Sequence, residues 1–244
     1  MVLLSSECAR RTMAERMPWC AARLRVLHFR KRAPALSALP DLETLRCAYA
    51  LPERFVYLPN QFWVHKDHET VVRALALLKL RGVACTVVCT GLEHDHRNPG
   101  HMTYLRALIR SLDLDPWIRM LGLIPREHCW ALMRHAMAVL NPSRFEGWSS
   151  TVEEARAMGV RTLLSDIDVH REQSPLGCVF FRTGDSADLA QRLAALDGTS
   201  VSRLVDADAD FRAFGLAYET IVRQALGGTG VTNKRHGANR CYTV

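Results

Sequence analysis

The sequence has 244 residues, 48% of them hydrophobic, and a formal net charge of +7. That length can bury a sizeable core in one or two domains, no apolar run approaches the roughly 20 residues needed to cross a bilayer, and the opening "MVLLSSECARR" lacks the charged-then-apolar order of a signal peptide. The net charge is +5 over residues 1–50, −1 over 51–226 and +3 over 227–244, so no basic stripe with aromatics marks a nucleic-acid surface, and a soluble cytoplasmic protein is expected.

In chain order, "SSECARRTMAERM" (5–17) reads as a short helix, "RLRVLHF" (23–29) as a strand and "RKRAPALSALPD" (30–41) as a loop. From about residue 55 short apolar runs alternate with amphipathic ones. Strands are expected at 54–59, 84–91, 117–122, 137–143, 160–166 and 179–181. Helices are expected at 67–82, with Asp67 as cap and Gly82 as stop, and at 101–114, 126–136, 151–158 and 186–196. Residues 199–226 read as helical, with Phe211, Phe214, Tyr218 and Ile221 available for packing, and 227–244 as a disordered tail.

Apolar strands alternating with helices imply a parallel sheet covered on both faces. The expected fold is a doubly wound, Rossmann-like α/β domain over residues 51–197, preceded by a stub (1–50) and followed by a helical segment (198–226). Ligands on such sheets bind beyond the carboxyl ends of the strands, which selects the loops after residues 59, 90, 122, 140 and 166.

Eight cysteines are scattered without a C-x-x-C pair, so free thiols fit better than disulfides or zinc. Cys85 and Cys89 share one face of a strand by their period of two. The loop "EHDHRNPGH" is rich in His but has no regular ligand spacing, and no metal site is expected.

One selected loop is "NPSRFEGWSSTVEEARAMGV" (141–160). Thr151 with Glu154, and Ser150 with Glu153, each form a capping box, which would account for a helix start without a ligand. Neither box accounts for Glu146. Hydroxyls and N–H groups gathered at a helix N-terminus suit a phosphate, and a carboxylate beside them suits a pair of sugar or ribose hydroxyls.

"PSRFEGWSSTVEEARAMG" followed by "LLSDIDVHREQ" resembles the E-x7-E signature of the retaining glycosyltransferases of family 4, which have the GT-B fold. Glu146 and Glu154 stand at its two Glu positions, and the similarity runs from about residue 51 to 197. "YLPNQFWVHKDHETVVRAL" resembles a second signature, a Gly-Arg followed five residues after the Arg by a Lys. Lys66 matches that Lys, while Gln61 replaces the Arg and Asn60 the Gly, leaving one cation where the family has two.

The resemblance implies a binding site for a GDP- or UDP-sugar donor and no further cofactor. Glu154 would hold the ribose, Glu146 would lie near the donor sugar, and Lys66 would contact the diphosphate. Gly147, Trp148, Ser149, Ser150 and Thr151 would line diphosphate and sugar, Gly91 would admit the backbone, Gln61 would sit in the first loop, and "LGLIP" (121–125) would flank the base. Trp63 and Trp148 suit packing or ligand contact equally. Arg126 and Arg144 read as surface arginines, Asp166 as a strand end, and His170 and Glu172 as members of the loop after it.

The implied activity is a metal-independent hexosyl transfer with retention, from a nucleotide-diphosphate sugar to a glycan or a lipid-linked acceptor. Residues 1–50 are similar to the tail of an acceptor-binding domain, so a separate acceptor-domain partner is expected. The basic stub favours peripheral contact with an acidic membrane surface or a partner. Two other readings stay open: a non-catalytic or vestigial nucleotide-sugar-binding domain, and an interaction module.

Overall fold

The computed structural model describes residues 1–175, 177–196 and 207–227. The chain opens with strand β1 (Val2–Leu4), helix α1 (Glu7–Arg16), a 3-10 turn (Pro18–Arg23) and strand β2 (Leu24–Val26), which runs parallel to β1. Ser6 caps α1 by accepting the Ala9 N–H. Among the described residues these two strands pair only with each other.

Helix α2 (Leu42–Tyr49) follows, in a stretch for which the sequence reading offered no element. Asp41 starts it by accepting the Thr44 N–H at 2.8 Å, and Leu45 is fully buried under the main sheet. The main domain then runs β3 (Val56–Leu58), α3 (His68–Leu80), β4 (Val87–Cys89), α4 (His101–Ser111), β5 (Ile118–Met120), α5 (Arg126–His135), β6 (Val139–Asn141), α6 (Ser150–Met158), β7 (Thr162–Ser165), α7 (Asp168–Gln173), β8 (Val179–Phe181) and α8 (Ser186–Ala194). Helix α9 (Ala207–Ala225) closes the described chain.

The six strands are parallel in the order β5-β4-β3-β6-β7-β8, the doubly wound arrangement that the sequence implied. Successive residues of β3 feed opposite layers. Val56 and Leu58 pack with Leu75, Leu105 and Leu189 of α3, α4 and α8, whereas Tyr57 packs with Leu45, Leu132 and Ala155 of α2, α5 and α6. Cys85, Val87 and Cys89 share the first layer and Val88 faces the second, as a period of two requires. A fully buried Leu or Val here contributes about 2 kcal/mol relative to exposure.

The strands are three or four residues long, shorter than the apolar runs that announced them. Residues flanking the short strands, such as Phe55 and Ala138, stay buried, and the carbonyls of these two still accept from Met137 N and Tyr57 N across the β3–β6 seam. Helix α4 stops at Ser111 instead of 114, because Asp113 turns the backbone to φ 50° and Leu114 folds back into the core.

Residues 168–173, expected as loop, form helix α7 and bury Val169, His170 and Gln173 on one side. Phe211 and Tyr218 of α9 are exposed instead of packed, while Phe214 is half-buried. Residues 198–206 of the expected helical segment, and the expected tail from 228 onward, lie outside the described residues. The seven described cysteines are free, and burial pushes the Cys85 thiol up to about 11 and Cys89 further.

Candidate active site

The strand order reverses between β3 and β6, so the loops leaving their carboxyl ends diverge and open a crevice. Two buried amides bridge it at the base. Asn60 Nδ2 donates to Asn141 Oδ1 at 2.9 Å. The Asn141 oxygen also accepts from Ser143 Oγ at 2.7 Å, and its Nδ2 donates to Ser149 Oγ at 2.8 Å. Asn60 Oδ1 accepts from Thr151 Oγ1 at 3.2 Å. Asn141 and Ser143 are candidate functional positions to which no motif in the sequence gives a role. Their signal was a polar residue ending an otherwise apolar run.

Lys66 ends a 3-10 turn (Val64–Lys66) above β3, and Glu146 lies in the loop above β6. Lys66 Nζ donates to Glu146 Oε1 at 2.6 Å, with both side chains largely buried. The same carboxylate oxygen accepts from Ser143 Oγ at 2.8 Å and Asn141 Nδ2 at 3.4 Å. Two further contacts lock the loops together. Arg144 N donates to His65 O at 2.8 Å, and the Arg144 guanidinium pairs with Asp67 at 2.9 Å. Arg144 is thus a cross-loop tie, although half of its side chain is exposed.

Asp67 adopts φ 53° at the start of α3 without capping it, and accepts from Thr70 Oγ1 at 2.7 Å. Gln61 Oε1 accepts the Leu92 N–H at 2.6 Å, tying the β3 loop to the β4 loop. Gly91 makes that approach possible. It sits at φ +143°, and a Cβ there would lie 2.5 Å from Asn60 O. Trp63 is half-buried beside His65, with ring centroids 5.6 Å apart.

Helix α6 is capped by Ser149, whose Oγ accepts the Val152 N–H, and not by Ser150 or Thr151 as the two boxes proposed. Both boxes fail because their acids are engaged elsewhere. Glu153 is 1% exposed and receives both of its oxygens' contacts from Arg30 at 3.0 Å, with Gln173 Nε2 also at 3.0 Å. Glu154 pairs with Arg126 at 2.5 Å, and that guanidinium sits 5.2 Å over the Trp130 ring. Gly147 and Ser150 are exposed at the mouth, and Thr151 is buried.

Trp148 is buried, and its indole faces the N-terminal stub. Its ring stacks on His28, and its Nε1 donates to Phe29 O at 3.2 Å. The indole thus packs against the stub. Glu172 pairs with His28 at 2.7 Å and accepts the Glu7 N–H at 2.6 Å, so it joins α7 to the stub. Arg30, His28 and Gln173 carried no local sequence signal.

His170, in α7 instead of a loop, is fully buried and donates from Nδ1 to the Ser165 carbonyl at 2.9 Å. Burial lowers its pKa and keeps it neutral. Asp166 pairs with the exposed Arg171. Among the described residues no group of His, Cys, Asp and Glu is placed to hold a metal ion.

The arrangement is a cation and a carboxylate at the mouth of a parallel sheet, with a helix N-terminus beside them. It can neutralise an anionic ligand and accept hydrogen bonds from hydroxyls of the same ligand.

A family model described as "Glycosyl transferases group 1" matches residues 50–196. No curated protein sequence matches the chain significantly. Among solved structures, a glycosyltransferase from Rickettsia africae is similar over 93% of this chain and 64% of its own, with 17% identity and a TM-score of 0.72. Sucrose-phosphate synthase from Thermosynechococcus elongatus is similar over 93% and 59%, with 19% identity and a TM-score of 0.69. The Anabaena protein HepE, solved with UDP and glucose, is similar over 93% and 63%, with 16% identity and a TM-score of 0.71. The chain therefore spans about three fifths of the length of these structures.

Proposed function

The chain belongs to the group 1 glycosyltransferases, and on that premise we propose that residues 51–197 bind a nucleotide-diphosphate sugar whose sugar is passed, with retention, to a glycan or lipid-linked acceptor. The observation that carries this reading is the Lys66–Glu146 pair at the switch point of the sheet, beside the first turn of α6. The assignment to family 4 and the retaining outcome rest on the E-x7-E pattern. A nucleoside diphosphate donor is supported by the HepE structures, solved with UDP and with UDP-glucose.

In this reading Lys66 and the N–H groups of α6 offset the charge that grows on the diphosphate as its bond to the sugar breaks. Glu146 leaves Lys66 to the phosphate and accepts hydrogen bonds from the sugar. Glu154 leaves Arg126 and accepts them from the ribose. Gly147, Ser149, Ser150 and Thr151 form the wall of the phosphate site, while Gly91 and Gln61 fix the loop opposite. Trp148 supports the turn from behind.

A separate domain supplies the acceptor site, which accords with the share of the neighbours' length that this chain does not cover. Among the described residues no helix is long and apolar enough to cross a membrane. We place the protein in the cytoplasm, where the basic residues of 1–50 would meet an acidic membrane surface or the partner domain. A non-catalytic donor-binding role is the second reading. It is favoured by Gln61, whose amide is bound to Leu92 and supplies no charge.

Lys66→Ala is expected to weaken UDP or GDP binding by about 10- to 100-fold, as the loss of one hydrogen bond between charged groups implies. Nucleoside binding should be nearly unchanged. Titration calorimetry with uridine, UDP, guanosine and GDP reads both. Equal losses for nucleoside and diphosphate would remove Lys66 from the phosphate site.

A further inference from the structure

The acidic turn is held from behind by residues that precede the main domain. His28 lies two residues after β2, and its imidazole stacks on the Trp148 indole with centroids 4.4 Å apart and planes 2° from parallel. Phe29 offers its carbonyl to Trp148 Nε1 at 3.2 Å, and its ring meets the indole edge-on at 6.4 Å. His28 Nε2 sits 2.7 Å from Glu172 Oε1. That carboxylate also accepts the Glu7 and Cys8 N–H groups, at 2.6 and 3.1 Å, at the start of α1. One imidazole thus links the turn, α7 and α1.

The placement of Trp148 gives this link its meaning. Trp148 follows the exposed Gly147 and precedes Ser149, the cap of α6. A glycine leaves the backbone free to swing, so an anchored neighbour has to limit it. The cap in turn sets the direction of the first N–H groups of α6. Burial works to raise the Glu172 pKa, but the two N–H groups and the His28 ring outweigh it and hold the carboxyl below the usual range. The charged partner of His28 is therefore present at neutral pH.

We propose that His28 is a positioning residue for donor binding: it fixes Trp148 and Glu172 and so holds residues 147–151 in the conformation that receives the diphosphate. The proposal rests on the function given above, and His28 itself touches neither donor nor reacting atoms. It also makes donor binding depend on docking of the N-terminal unit, because the same imidazole joins that unit to the turn.

The test compares the full chain with His28→Ala and His28→Phe, by UDP and GDP titration and by amide hydrogen exchange of the ligand-free proteins. His28→Ala should weaken binding of the accepted nucleotide about tenfold, the loss of one stacked ring pair with its polar contact. It should speed exchange at 147–152 and in α7 while amides of β3 and β4 keep their protection. His28→Phe keeps the stack but not the Glu172 contact, and should restore part of the affinity. Unchanged exchange at 147–152 in His28→Ala, a uniform rise across the whole sheet, or no recovery in His28→Phe would each overturn the proposal. If the unmutated chain binds neither UDP nor GDP, the proposed function fails on its own. The exchange data then still decide whether His28 holds the turn.

Discussion

Gly91→Ala should destabilise the fold by about 3 kcal/mol, combining backbone strain with a steric clash, and should weaken nucleotide binding as well. Gly91 sits at φ +143°, and the added Cβ would fall 2.5 Å from Asn60 O, 2.9 Å from Asn60 C and 3.0 Å from Gln61 Cα. All three atoms are backbone, so no flexible side chain can yield. Relief requires the β3 loop to move away from the β4 loop. That motion breaks the bond from Leu92 N to Gln61 and shifts Asn60, which anchors both Asn141 and Thr151. Gly184→Ala is the control. It also stands at positive φ, +75°, but an added Cβ meets nothing within 4 Å, so only the local strain of about 1 kcal/mol applies. Chemical denaturation of the two variants separates clash from strain. Similar losses in both would show that the two loops do not meet as closely as described.

Arg30→Ala is expected to cost about 3 kcal/mol, because it strands a buried carboxylate. The Glu153 side chain is fully buried, and both of its oxygens accept from Arg30 Nη1. Gln173 remains as a hydrogen-bond donor, and Arg156 Nε lies 3.7 Å away. At that distance Arg156 forms no direct hydrogen bond to the carboxylate, so it compensates only in part. Adding Glu153→Gln to Arg30→Ala removes the stranded charge and should recover part of the loss. No recovery in the double variant would mean that Arg30 acts through packing of its stem and not through the ion pair.

The sheet was legible in the sequence because its central strands, β4, β3, β6 and β7, are buried on both faces and so read as apolar runs between amphipathic helices. Helix α7 was not. Only six residues of "DIDVHREQ" are helical, and Val169 is the one apolar residue on a buried face it shares with His170 and Gln173, too little for a helical period to show. Helix α2 was missed beside a Pro-rich loop, although Asp41 and Thr44 mark its start.

The pair of Glu146 and Lys66 was legible as two motifs and not as a contact, since 80 residues separate them. The cap of α6 was misplaced by one to two residues. Sequence spacing shows an acid three residues after a hydroxyl, but not that Arg30 and Arg126, from distant elements, have already engaged those acids. Trp148 has the same cause. Its partner is 120 residues away in the sequence and nothing local announces it. The Asn60–Asn141 bridge could have been suspected from polar residues at the ends of two adjacent buried strands.

The most direct test of the donor site is calorimetric titration of the chain with UDP, GDP and their sugar conjugates, repeated with Glu154→Ala. The account predicts saturable binding of one nucleotide by the unmutated chain. It predicts at least about a tenfold loss in Glu154→Ala, the scale of a carboxylate's hydrogen bonds to a ribose, with the fold unchanged by circular dichroism. Equal affinity in the folded variant, or no binding of any of these ligands by the folded unmutated chain, would contradict it.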